Sequence, residues 1–383
     1  MKKLYYLEGV RGIAAFMVLL SHFIQVFYPA LLSSEQSLVH NAIESKVPQT
    51  PLNLFYNGNF AVCIFFVLSG YVLSYRFIKK KDKTILVESA TKRYFRLVLP
   101  VAVSVVFAYI ILRLDLFYYG YMPGFTNATM PDFYAMEPSI FHALKEAFYG
   151  TFFENEFSYN AVLWTMYYEL LGSFIVFSFL ALLGNLRNRY IFYIILLVMF
   201  WNTYFIAFVL GMLLCDAFNS LDEKIINMFK SKISIILFST TGIYLGSFPY
   251  VNYKDTIYEI IVVPELNVNY FMMSHIIGAF FILLVLLSSE ILQKIFSLKV
   301  FRFLGDISFS LYLTHFIIIN SLSSYIFIKL IKEGLSYNIS FLITFITSLL
   351  VIFILSYLLY KYVDSKSVIF SKKIYHKFFL KNK

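Results

Sequence analysis

Two ionisable side chains interrupt an apolar stretch near the start of the chain, Arg11 and His22 within Leu7–Phe23. An imidazole is suited to general-base chemistry, and a guanidinium to gripping carboxylate or phosphate. At about 100° per residue, a helix returns to within roughly 20° of the same face after the eleven residues that separate them. The axial offset is about 16 Å, half a hydrocarbon core. Glu8, three residues before Arg11, is placed to pair with it. Ionisable groups at membrane depth are costly and mark function by default. Two more belong to this set: Glu169, which ends the run Leu163-Trp164-Thr165-Met166-Tyr167-Tyr168-Glu169, and His315, in Ser310-Leu311-Tyr312-Leu313-Thr314-His315. A carboxylate beside an imidazole fixes its tautomer and stabilises the imidazolium. His22 and Glu169 are expected at similar depth, so their pairing is the working expectation. Separate helix–helix hydrogen bonds are the alternative for each, and packing explains His315 as well as catalysis does.

The elements that must position these groups are transmembrane helices. The 383 residues are 60% hydrophobic and 14% charged, with a mean hydropathy of +0.73. A soluble domain carries about 25% charged residues, and the short alternating segments of an outer-membrane barrel are not found. The fold class expected is all-α, a polytopic membrane protein in one domain over residues 1–383. Ten spans are predicted: 5–28, 56–78, 97–114, 161–184, 190–202, 203–219, 233–248, 268–290, 307–329 and 337–362. Trp201-Asn202-Thr203 is the expected turn between the fifth and sixth. The start, Met1-Lys2-Lys3 and then an apolar run, resembles a signal peptide. Glu8 and Arg11 interrupt that run and no small-residue cleavage pattern follows, so it reads as an uncleaved first span.

Of the 32 Lys and Arg, only Lys46, Arg113, Lys145, Lys254, Lys329 and Lys332 fall on the outer side when the N-terminus is inside. This positive-inside bias, with an even span count, puts both termini in the cytoplasm, with a tail from about 363. The net charge of +10 is thereby explained as topology, and no nucleic-acid partner is called for. Three outer loops, 29–55, 115–160 and 249–267, are long enough to carry function. The middle one is rich in Tyr, Phe, Pro and Glu, including Glu154 and Glu156. Cys63 and Cys215 lie inside spans, so neither a disulfide framework nor a metal cluster is implied. His275 is a weaker third buried histidine, and His40, His142 and His376 lie in exposed regions.

The second span contains Phe65-Phe66-Val67-Leu68-Ser69-Gly70-Tyr71 and runs into Arg76 and Lys79-Lys80-Lys81. Ser69-Gly70 suits close helix packing. Arg93 and Arg96 share a helix face before Pro100 and are placed to grip phosphates in forked hydrogen bonds. No glycine-rich nucleotide fingerprint is present. Together, Arg11-x10-His22, Phe65–Tyr71, Arg93 and Arg96, Trp164–Glu169, Gly211 and Ser310–His315 make the chain resemble the acyltransferase family 3 membrane O-acyltransferases of bacteria, over essentially its whole length. Tyr71 replaces a common phenylalanine, and Tyr167-Tyr168 precede Glu169. The stand-alone form, without an appended esterase-like domain, is expected.

The resemblance implies transfer of an acyl group, acetyl above all, from cytoplasmic acyl-CoA to an extracytoplasmic hydroxyl on a glycan or glycolipid, in the cytoplasmic membrane. His22 and Glu169 would be catalytic. Arg11, Arg76, Arg93 and Arg96 would bind the phosphates of coenzyme A. Ser69, Tyr312 and His315 are candidates for the tunnel or acceptor site, and no metal is implied. A transporter or flippase, with Arg11, His22, Glu169 and His315 as a proton or substrate path, is the rival reading. A non-catalytic scaffold for polysaccharide export is a third. No inverted repeat and few Pro or Gly breaks speak for the transporter.

Overall fold

The computed structural model describes residues 4–379. Among the described residues every regular element is a helix, the form in which the polar backbone of an apolar segment satisfies its hydrogen bonds within itself. Ten apolar helices follow in chain order: α1 (Tyr5–Phe27), α2 (Gly58–Lys80), α3 (Thr84–Arg113), α4 (Ala161–Leu183), α5 (Arg189–Met199), α6 (Phe205–Ser220), α7 (Lys232–Gly246), α8 (Tyr270–Ser288), α9 (Lys299–Lys332) and α10 (Tyr337–Phe378). Each overlaps one of the predicted segments. Seven are long and apolar enough to cross a membrane, whereas α5, α6 and α7 are shorter.

The helix ends follow local chemistry. Asn57 caps α2 by accepting from the Phe60 backbone N–H at 3.0 Å, and Lys79 and Lys80 occupy its last turn, where cations suit the dipole. Asn202 takes a left-handed φ of 61° between α5 and α6, as the expected turn requires. Its side-chain oxygen accepts from the Asn269 N–H at 2.9 Å. Two helices start earlier than expected. α3 begins at Thr84, so Lys92, Arg93 and Arg96 stand on a helix, with Glu88 paired to Lys92 one turn later. Pro100 lies inside it, which membrane helices tolerate. α9 begins at Lys299, eight residues before the expected start, so Asp306 lies inside the helix.

The contacts divide the chain into two compact units. The first comprises the chain up to Met17, Gln49–Arg93 and Tyr168–Asp306. Here α2 and α6 touch through their backbones. A Cβ at Gly70 would meet the Phe208 carbonyl oxygen, and one at Gly211 would meet that of Val67. Small residues at a crossing are how membrane helices gain contact area. Gly211→Val is therefore expected to destabilise the protein by about 1–3 kcal/mol, read as a lower thermal midpoint in detergent. An unchanged midpoint would remove this crossing from the fold's essentials. The start of α1 meets α9 in the same way, Gly12 against Leu304 and Gly305.

The second unit comprises Val18–Pro48, Tyr94–Tyr167 and the chain from Ile307 onward. α9 and α10 are joined by buried hydroxyl pairs, Ser323 Oγ to Ser348 Oγ at 2.6 Å and Thr314 Oγ1 to Ser356 Oγ at 2.8 Å. The rings of Phe23 and Phe27 pack on Phe345 and Phe341 of α10. A π turn at Ile319–Ser323 opens the α9 ladder. The Asn320 carbonyl accepts from the Tyr118 N–H at 3.0 Å, which ties the 115–160 segment to this helix.

Candidate functional site

In the second unit the ring of His22, from the latter half of α1, meets His315 of α9. His22 Nδ1 lies 2.9 Å from His315 Nε2. His315 is fully buried, and its Nδ1 lies 2.8 Å from the Leu311 carbonyl oxygen, one turn back on α9. Phe316 presents its ring edge-on to His22, centroids 5.0 Å apart. Tyr312 hydrogen-bonds Thr165 Oγ1 at 3.0 Å and donates to the Val162 carbonyl at 2.8 Å, so α9 is fixed against the start of α4 just before His315. With His315 buried and His22 partly accessible beside it, the His22 ring is suited to taking a proton from a bound hydroxyl.

In the first unit Glu169 of α4 is ion-paired with Arg93 of α3. Ser69 of α2 donates to Glu169 Oε1 at 2.7 Å. Arg93 Nε donates to Ser173 Oγ at 2.7 Å, and Ser173 in turn donates to the Glu169 carbonyl at 2.5 Å. The side chains of Arg93 and Glu169 are 9% and 15% exposed. A carboxylate taken out of water is tolerated only with donors of this kind around it.

Of the residues singled out from sequence, the structure thus brings together His22 with His315, and Glu169 with Arg93 and Ser69. Glu169 and His22 fall in different units, and each is hydrogen-bonded within its own. Arg11 pairs with Glu8 at 3.2 Å, as its spacing predicts. Arg76 reaches Glu88 at 3.6 Å and is half exposed, and Arg96 is exposed on α3. Sequence reading passed over Ser173 and the Leu311 carbonyl. Both lie four residues from a residue it did select, on the same helix face, and that register was the available signal.

Outside the apolar helices, His142 pairs with Glu156 at 2.7 Å, and Lys145 with Glu154 at 2.7 Å. Buried Glu146 accepts from the backbone N–H groups of Ser158 and Tyr159. Burial pushes its carboxyl up to about 7, against the pull of those two donors. Ligating atoms of His142, Glu146 and Glu156 lie within 4.8 Å of one another, an arrangement that the ion pair and the backbone bonds explain. An open pocket of about 570 Å³ is lined by Tyr118, Tyr121, Phe125, Tyr325, Lys329 and Lys332.

Comparison with known proteins adds two findings. A model of acyltransferase family 3, described as an acyltransferase domain, matches residues 4–361. The chain is also 25% identical, over 432 aligned residues, to the "O-acetyltransferase PaAT-1" of Phomopsis amygdali, covering 97% of this chain and 84% of that relative. No solved structure matches.

Proposed function

Because the chain belongs to acyltransferase family 3, we propose that this membrane O-acyltransferase draws an acyl group, acetyl in the simplest case, from cytoplasmic acyl-CoA. It places that group on a hydroxyl of an extracytoplasmic glycan or glycolipid. The observation that carries the reading is the histidine pair, an imidazole on α1 hydrogen-bonded to a second imidazole within apolar helices.

In this reading all ten helices contribute spans, both termini are cytoplasmic and the membrane is the cytoplasmic one, as the lysine and arginine distribution favours. Arg11, Arg76 and Arg96 each offer a guanidinium suited to the phosphates of coenzyme A. Arg93, engaged with Glu169 and Ser173, holds that carboxylate in place, and the pair serves the transfer together. The pantetheine arm follows α1 from Arg11 towards His22, about 16 Å at 1.5 Å per residue. His22 takes the proton of the acceptor hydroxyl as its oxygen bonds to the thioester carbonyl carbon. The carbon–sulfur bond then breaks, and the imidazolium returns the proton to the departing thiolate. An ester and the free thiol are the products. The pocket with Tyr118, Tyr121, Tyr325 and Lys329 supports a saccharide acceptor, since ring faces beside hydrogen-bond donors suit a sugar.

The test is purified protein in detergent with labelled acetyl-CoA and candidate glycans. Label should appear on the acceptor with no closed compartment present, which a transporter cannot achieve. Failure to label any glycan or glycolipid, alongside uptake by vesicles, would overturn the reading. In the same assay Arg96→Ala is expected to raise the KM for acyl-CoA several-fold, with a smaller effect at higher salt, where the charge of this exposed arginine is screened in the unaltered protein as well. An unchanged KM would take Arg96 out of the donor site.

A further inference from the structure

A neutral imidazole carries one N–H and one lone pair, and its partners decide which nitrogen has which. His315 Nδ1 faces the Leu311 carbonyl oxygen at 2.8 Å. A carbonyl only accepts, so His315 Nδ1 bears the hydrogen. The Nε2 of neutral His315 then has only its lone pair, and this is the atom that faces His22 Nδ1 at 2.9 Å. Two lone pairs at that distance repel, whereas a hydrogen bond forms when His22 Nδ1 donates. The lone pair of His22 is thereby confined to Nε2. We infer that His315 is a positioning residue, which holds His22 in the Nδ1–H tautomer and makes His22 Nε2 the atom that receives the acceptor's proton.

The inference rests on the general-base reading of His22 for its catalytic part, and on hydrogen-bond geometry alone for its tautomer part. The proton from the hydroxyl goes to Nε2, and the resulting imidazolium keeps its Nδ1–H bonded to His315 Nε2. His315 neither gains nor loses a proton, because its own hydrogen stays on Nδ1, donated to the Leu311 carbonyl oxygen. When the thiolate leaves, the proton passes from His22 Nε2 to sulfur, and the starting tautomer is restored without any rotation of the ring. A freely exchanging imidazole in water favours the opposite form, with hydrogen on Nε2, and in that form the reactive nitrogen would have no lone pair to offer. The buried Leu311–His315 step removes that loss.

The test reads the tautomer directly. Full-length protein carrying 15N-histidine, in lipid nanodiscs, is measured by NMR, with the His22 and His315 signals assigned from His22→Gln and His315→Gln variants. Both residues should show a protonated Nδ1 and a bare Nε2. In the acyl-transfer assay His315→Leu should lower kcat by about 10- to 100-fold with KM for acyl-CoA unchanged, a fraction of what loss of the base itself costs. His315→Gln, which returns a carbonyl oxygen near the lost Nε2, should recover most of that loss. A protonated Nε2 on His22 in the unaltered protein overturns the inference, as does a His315→Leu enzyme with normal kcat. A His22→Ala enzyme with normal kcat would overturn the general-base reading instead, and the NMR result would still report whether the tautomer lock exists.

Discussion

Purified His22→Ala is expected to lose acyl transfer by about 10²- to 10⁴-fold, the span a positioned general base contributes, while remaining folded. The reason lies in where the residue stands. His22 is partly exposed at the edge of its helix pair, and removing its ring opens a small polar gap beside His315 without disturbing the aromatic contacts of Phe23 and Phe27 with α10. The thermal midpoint and the elution profile in detergent should therefore stay close to those of the unaltered protein. KM for acyl-CoA should change little, because the imidazole acts on the hydroxyl and not on the donor's phosphates. Turnover within a few-fold of normal would show that another group takes the proton.

Glu169→Gln and Arg93→Met are expected to have the second largest effect, and to fail through stability as well as rate. Each leaves the other charge in a site that is 9% to 15% exposed, and breaking a buried pair from one side costs about 3–5 kcal/mol. Transfer should fall by at least about 100-fold in both single variants. The double variant Arg93→Met/Glu169→Gln should regain much of the lost stability, with an interaction energy of about 0.5–3 kcal/mol in the cycle, and none of the lost activity. Ser69 and Ser173 then lose charged partners but remain able to bond locally, as Ser173 already does to the Glu169 carbonyl. Stabilities that simply add would show that the two charges do not act as one unit.

The helices were legible because apolar length is written into composition. Each of the ten expected spans falls on one helix, and the break at Trp201-Asn202-Thr203 was readable as a polar interruption in a run too long for one span. Helix starts were less so. Thr84–Arg96 is charged enough to read as a loop, yet its Glu88–Lys92 pairing and helix-forming side chains continue α3 well before its apolar part. For the site, sequence gave types and depth along each helix but not lateral neighbours. Glu8 with Arg11 was readable from a spacing of three. Arg93 with Glu169 and His22 with His315 join residues 76 and 293 positions apart, and no local pattern encodes such a choice. Asp216 was overlooked because the apolar run of α6 hides it, although it is fully buried and held by Arg189 at 2.5 Å and 2.7 Å.

The last helix has a consequence for how the enzyme presents itself to its surroundings. α10 continues for 42 residues through a π turn at Tyr360–Asp364, about 63 Å at 1.5 Å per residue, against a hydrocarbon thickness of about 30 Å. Roughly half of it must stand clear of the acyl chains, and Lys361, Lys366, Lys372, Lys373 and Lys377 are all carried in that half. The segment that composition marks as a basic tail is thus a helical, positively charged extension. Near an anionic leaflet each lysine is worth about 1 kcal/mol, so this extension is drawn to such a surface.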